Sequence, residues 1–91
     1  MQSVKRVTLT GAVKSVGFNK PSGAYLVKNF SDSDIYVSFE STVATDTAIK
    51  IASGMAQVCF INMRDGLNGQ DKTTVISLNG TGEVEVQQIW Y

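Results

Sequence analysis

Tyr25-Leu26-Val27-Lys28-Asn29-Phe30-Ser31-Asp32-Ser33-Asp34-Ile35-Tyr36-Val37-Ser38-Phe39-Glu40 holds two strand-like runs around four consecutive turn-forming side chains. Val, Ile, Tyr and Phe suit a pleated, half-buried surface, whereas Ser and Asp hydrogen-bond their own backbone and favour turns. The stretch therefore reads as a β-hairpin. Its second arm points Ile35, Val37 and Phe39 toward a core and Tyr36, Ser38 and Glu40 toward solvent, the period of two that fixes a register. Its first arm, Ala24 to Phe30, is apolar on both parities and reads as a central strand covered on both faces.

The same grammar extends in both directions. Upstream, Val4 to Val13 sets Val7, Leu9 and Val13 against Arg6, Thr8 and Thr10, with Gly11 as a bulge or bend and a change of apolar parity by Val16 and Phe18. Asn19-Lys20-Pro21-Ser22-Gly23 predicts a turn, with Pro21 fixing φ. Downstream, Ser41 to Thr47 reads as a loop crossing between sheets, Ile49 to Ile51 as a brief strand, and Met55 to Met63 as a long core strand. Arg64 to Lys72 is a polar loop, and Thr73 to Leu78 with Gly82 to Tyr91 reads as a final hairpin across Asn79-Gly80-Thr81-Gly82. Helix signals are scarce, and no helices alternate with the strands as a parallel sheet requires. The expectation is an all-β fold: one domain over residues 1–91, an antiparallel β-sandwich of jelly-roll or Greek-key type with seven or eight short strands. An SH3-like or OB-type barrel is the alternative architecture.

Chemistry is thin along this frame. The 91 residues contain no histidine, the commonest general base and transition-metal ligand, so Ser-His and Cys-His nucleophile pairs cannot form within the chain. Eight Lys and Arg balance eight Asp and Glu without like-charge runs, which offers a phosphate backbone or an anionic bilayer no bulk attraction. The single cysteine, Cys59, lies in Val58-Cys59-Phe60-Ile61 and reads as a small buried hydrophobe. Met1-Gln-Ser-Val-Lys-Arg shows no apolar leader region, so synthesis and folding in the cytosol are expected, and the sequons at Asn29 and Asn79 then carry no information. Asp65, Asn68 and Asp71 gather oxygens near Gly66 and Gly69, but their spacing does not fit an EF-hand and Arg64 and Lys72 oppose a divalent cation. Asp32, Asp34 and Glu40, or Glu83 and Glu85, form no split-pKa pair in a visible cleft; the last two alternate with Val84 and Val86 as the wet face of a strand. No catalytic, metal or cofactor residue is predicted, and no enzyme.

Aromatic side chains remain. Tyr25, Tyr36, Trp90 and Tyr91 could serve as stacking platforms, although none sits among the basic residues that single-strand binders use. The terminal Ile89-Trp90-Tyr91 is apolar where chain ends are ordinarily polar and frayed, so it should be docked, in its own sheet or on another subunit. Tyr25, Tyr36, Ile89, Trp90 and Tyr91 are the interface candidates.

From Leu26 to Phe39, and again at Ile49-Lys50-Ile51-Ala52-Ser53-Gly54, the chain resembles small accessory virion proteins of tailed bacteriophages, over about half its length. Ala52-Ser53-Gly54 lacks the proline often found before that glycine in the resembled proteins. The resemblance implies a compact β-sandwich used as a head-decoration or head-fibre part, often trimeric, in contact with a major capsid or other virion protein. It brings no catalytic residues. The leading expectation is thus a non-enzymatic virion structural protein that self-associates and docks on a larger assembly. The alternatives are a glycan-binding module used in attachment and an OB-like single-strand nucleic-acid binder.

Overall fold

The computed structural model describes residues 3–40, 43, 46, 48–60 and 73–90. Eight strands form: β1 (Ser3–Thr10), β2 (Lys14–Ser22), β3 (Ala24–Asn29), β4 (Ile35–Ser38), β5 (Ile49–Ile51), β6 (Ala56–Phe60), β7 (Thr73–Asn79) and β8 (Thr81–Trp90). They make two antiparallel four-stranded sheets, β1-β8-β3-β6 (sheet A) and β2-β7-β4-β5 (sheet B). The pairs β1/β8, β2/β7, β3/β6 and β4/β5 are the rungs of one long hairpin with its closed end between β4 and β5. Rolling that hairpin up brings β3 against β8 and β4 against β7, which is the jelly-roll arrangement of the β-sandwich. No barrel closes among the described residues.

Each strand feeds one parity into the space between the sheets. Val27 on β3, Ile35 and Val37 on β4, Ile76 and Leu78 on β7, and Val84 and Val86 on β8 are fully buried there. Burying a side chain of this size stabilises by about 1.5–3 kcal/mol, so this single layer supplies most of the drive to fold. At one end of the layer Tyr25 lies between Phe18 and Phe39, with ring centroids 5.6 and 5.7 Å away in tilted contact. The Gln88 amide donates to the Tyr25 hydroxyl (3.3 Å) and to the Lys20 carbonyl (2.6 Å). Its own Oε1 is buried without a partner among the described residues.

Several connections depart from the sequence reading. Ser31-Asp32-Ser33-Asp34 does not close a hairpin; it carries the chain from β3 in sheet A to β4 in sheet B. Buried Asn29 drives that crossing. Its Nδ2 donates to the carbonyls of Ser33 (2.8 Å) and Ile51 (3.1 Å), and its Oδ1 accepts from the Ser31 amide (2.9 Å) and hydroxyl (2.6 Å). These bonds satisfy the side chain and tie the turn to β5 of the opposite sheet. Asn79-Gly80-Thr81-Gly82 likewise joins sheet B to sheet A instead of closing a final hairpin. Gly82 there has φ +94°, and a Cβ on it would collide with Ser31, so the two arches can pack together only because this position is glycine.

Gly11, at φ 96°, ends β1 and turns the chain into sheet B, its amide donating to the Gly80 carbonyl at 2.8 Å; it is no mid-strand bulge. β2 runs on through Pro21 to Ser22, which an edge strand tolerates, and its register slips between Gly17 and Ser22. β4 and β5 are neighbours in sheet B, so their connection does not change sheets. β6 is an edge strand, with only Cys59 buried, and not the core strand that its apolar content suggested. Residues 61–63 of that predicted strand and the loop from Arg64 to Lys72 lie outside the described residues.

Candidate functional site

Because sheet A is regular, its outward parity can be laid out row by row from the strand register. One transverse row runs Val4–Gln87–Leu26–Val58 across β1, β8, β3 and β6. The next runs Arg6–Glu85–Lys28–Ala56. On the far side of the first row Ala24 pairs with Phe60, while Ile89 continues the outward parity of Glu85 and Gln87. Phe60 is 63 % exposed, Val4 45 %, Ile89 41 % and Val58 37 %. Phe30, just past the end of β3, adds another exposed ring. With side chains of this kind presenting on the order of 150–200 Å² each, these five together show roughly 450 Å² of apolar surface to solvent, Phe30 standing apart from the other four.

A charged bridge crosses this apolar band. Glu85 accepts from Arg6 Nε at 2.9 Å through Oε1, and its Oε2 lies 3.1 Å from Lys28 Nζ. Three strands are thereby tied on their outer side, and both carboxylate oxygens are engaged. The hydrogen bonds from Arg6 and then Lys28 hold the Glu85 carboxyl below the usual carboxylate range, and the same contact raises the Arg6 guanidinium. Glu85 is therefore not the solvated wet-face residue that its alternation with Val84 and Val86 suggested; only 7 % of it is exposed.

The outer face of sheet B has another character. Ser15, Ser77 and Ser38 form one row and Asn79, Tyr36 and Lys50 the next. The Ser15 and Ser77 hydroxyls are 3.4 Å apart, and Lys50 Nζ lies 3.2 Å from Asp34 Oδ2, a contact that raises the Lys50 pKa. Val75, opposite Gly17, is an exposed apolar side chain of this face, as is Val13 just before β2.

The interface candidates scatter over the molecule. Tyr25 is fully buried, and burial raises its hydroxyl pKa, so it belongs to the core and not to an interface. Tyr36 is half-buried on the outer face of sheet B, and Ile89 lies on the outer face of sheet A. Trp90 closes β8, its backbone paired with Ala24, which docks that end of the strand in its own sheet; Tyr91 lies outside the described residues. Val4, Leu26, Val58 and Phe60 escaped the sequence reading because they share a surface only through the register of four strands distant in sequence. Cys59 is buried, as expected, and burial pushes its thiol up to about 11, leaving it protonated and inert at neutral pH. Among the described residues no three Cys, Asp or Glu side chains gather as a metal site, and no helix is long and apolar enough to cross a membrane. Comparison of the chain with protein-family models, with curated proteins and with solved structures finds no match.

Proposed function

We propose that the protein is a non-enzymatic structural component of a bacteriophage virion, a capsid-decoration or fibre-attachment protein that docks on a larger assembly through the outer face of sheet A. The observation that carries this reading is the apolar row Val4–Leu26–Val58 with Phe60 and Ile89 beside it, spread over one sheet face outside the core. Such a band costs solubility unless something covers it, and a lattice of coat subunits offers a repeated surface to do so. The Arg6–Glu85–Lys28 bridge suits the same role, because its charges are already paired and need little rearrangement on contact. The resemblance of Leu26 to Phe39 to accessory virion proteins points the same way. Synthesis would be in the host cytoplasm and the working location the particle.

The test is particle binding. The chain is expected in purified particles of the phage that encodes it, and particles stripped of it should rebind the purified protein. Ile89→Lys, on the exposed face, should weaken rebinding by about tenfold or more while leaving the fold intact. Absence from the particle, or rebinding unaffected by both Ile89→Lys and Val4→Lys, would remove the proposal.

Tyr36 favours a second reading. It stands between Asn79 and Lys50 and next to a row of serines, so an aromatic ring and hydrogen-bonding groups share one open face, which is what a sugar ring requires. Binding on a glycan array that is lost in Tyr36→Ala would support it, and silence across the array would remove it.

A further inference from the structure

Among the described residues the jelly roll leaves four strand edges unpaired, and each is a template for pairing with another chain. Three of them carry the usual protection. β1 has Lys5 and Arg6; β2 has Lys14, Lys20, Pro21 and a broken register; β5 is three residues long with Lys50 at its centre. β6, Ala56-Gln57-Val58-Cys59-Phe60, has no charge, no proline and no glycine, and four of its five side chains are exposed. It pairs with β3 over all five residues on its inner side, so alternate backbone N–H and C=O groups along it aim away from β3, with no partner strand among the described residues. Three edges guarded by their own residues and a fourth strand that carries no guard form the pattern of an edge that is used.

We infer that β6 pairs antiparallel with β6 of a second copy of this chain about a two-fold axis at Val58, joining two copies of sheet A into one eight-stranded sheet. Self-pairing is the occupant that the strand's own composition fits. An uncharged strand meets its copy without like charges opposed, and the axis at Val58 sets small Ala56 opposite bulky Phe60 of the second copy on the outward side, twice over. The dimer also answers a shortage of area. One copy shows roughly 450 Å² of apolar surface, about half of the ~800 Å² per partner of a standard specific interface. Two copies side by side make one band near that size. The inference rests on the docking role proposed above for that band, but its test needs no particle.

In solution the mass from light scattering should rise with concentration to twice the 9.8 kDa of one chain and level off there. Val58→Cys in a Cys59→Ala background should give a disulfide-linked dimer under mild oxidation in several-fold higher yield than Thr8→Cys in the same background, which places an exposed thiol on the β1 edge. Val58→Lys should return the protein to monomer with an unchanged far-UV spectrum, whereas Val4→Lys, on the same row three strands away, should leave the dimer intact. Crosslinking at position 58 no better than at position 8, or a mass of three copies, overturns the two-fold pairing and leaves the docking proposal standing. A mass of 9.8 kDa at every concentration also overturns the pairing. Loss of particle binding by a protein that still dimerises overturns the docking proposal alone.

Discussion

The two outer faces of this sandwich share one core and one architecture yet are opposite in chemistry. Sheet A shows Val4, Leu26, Val58, Phe60 and Ile89 around a closed ion bridge, while sheet B shows Ser15, Ser38, Asn79, Tyr36 and Lys50 around a covered Ser77, with Val75 as an exposed apolar side chain. A jelly roll fixes only the inward parity of each strand; the outward parity is free to carry function. In this chain the freedom is used asymmetrically: the exposed side chains of sheet A are mainly aliphatic and aromatic, those of sheet B mainly hydroxyl, amide and charged. Both faces depend on the core between them, and the difference between them is open to experiment.

The largest effect should come from the core itself. Tyr25→Ala removes a fully buried ring wedged between Phe18 and Phe39 and should cost about 3–5 kcal/mol in urea unfolding, with both faces lost in a single transition. Two separate transitions would mean that the sheets do not share their stability. Next comes the bridge on sheet A. Glu85 has its pKa lowered in the folded state, so it contributes stability above the ordinary carboxylate pKa of about 4.3 and loses it as pH falls through the folded value. Melting temperature should therefore fall steeply below about pH 4.3 in the wild type. Glu85→Gln should melt lower at pH 7 and show a flatter acid limb; an unchanged acid limb would deny the bridge its role. On sheet B, Ser77→Ala should cost no more than about 1 kcal/mol in urea unfolding, since the hydroxyl contact it removes is long, and it should leave particle binding untouched. The smallest stability change belongs to Ile89→Lys, within about 0.5 kcal/mol by thermal melting, because the residue touches water; its effect is confined to docking. If Ser77→Ala and Ile89→Lys weakened particle binding equally, the division between the faces would fail.

What could be read from the sequence follows the range of the interactions involved. Ile35 and Val37 go inward and Tyr36 and Ser38 outward as their alternation states, because that signal lies within one strand. Ser31 to Asp34 was legible as a turn but not as an arch between sheets. The same Ser and Asp residues serve both, and the choice is made by Asn29 bonding to Ile51, 22 residues on. The apolar run at β6 suggested a core strand because hydrophobicity reports that a residue is to be covered and not what covers it. The face on sheet A was invisible for a related reason. Arg6 meets Glu85 across a separation of 79 residues, and no local pattern in the chain announces that meeting.

β8 is the last strand in the chain, yet it is not at an edge: it is inserted between β1 and β3 and holds them apart in one sheet. On the ribosome, therefore, the first strand made has no neighbour in its sheet until residues 81–90 have emerged, and sheet A cannot assemble progressively from its N-terminal end. Folding is dominated by contacts between segments distant in sequence, which is slow for a domain of this size. Until β8 is in place, β6 has only an incomplete sheet to join, because its partner β3 is itself paired with β8 on the other side. An uncharged, apolar strand that must wait for a distant partner sheet is also the segment through which incompletely folded chains would associate.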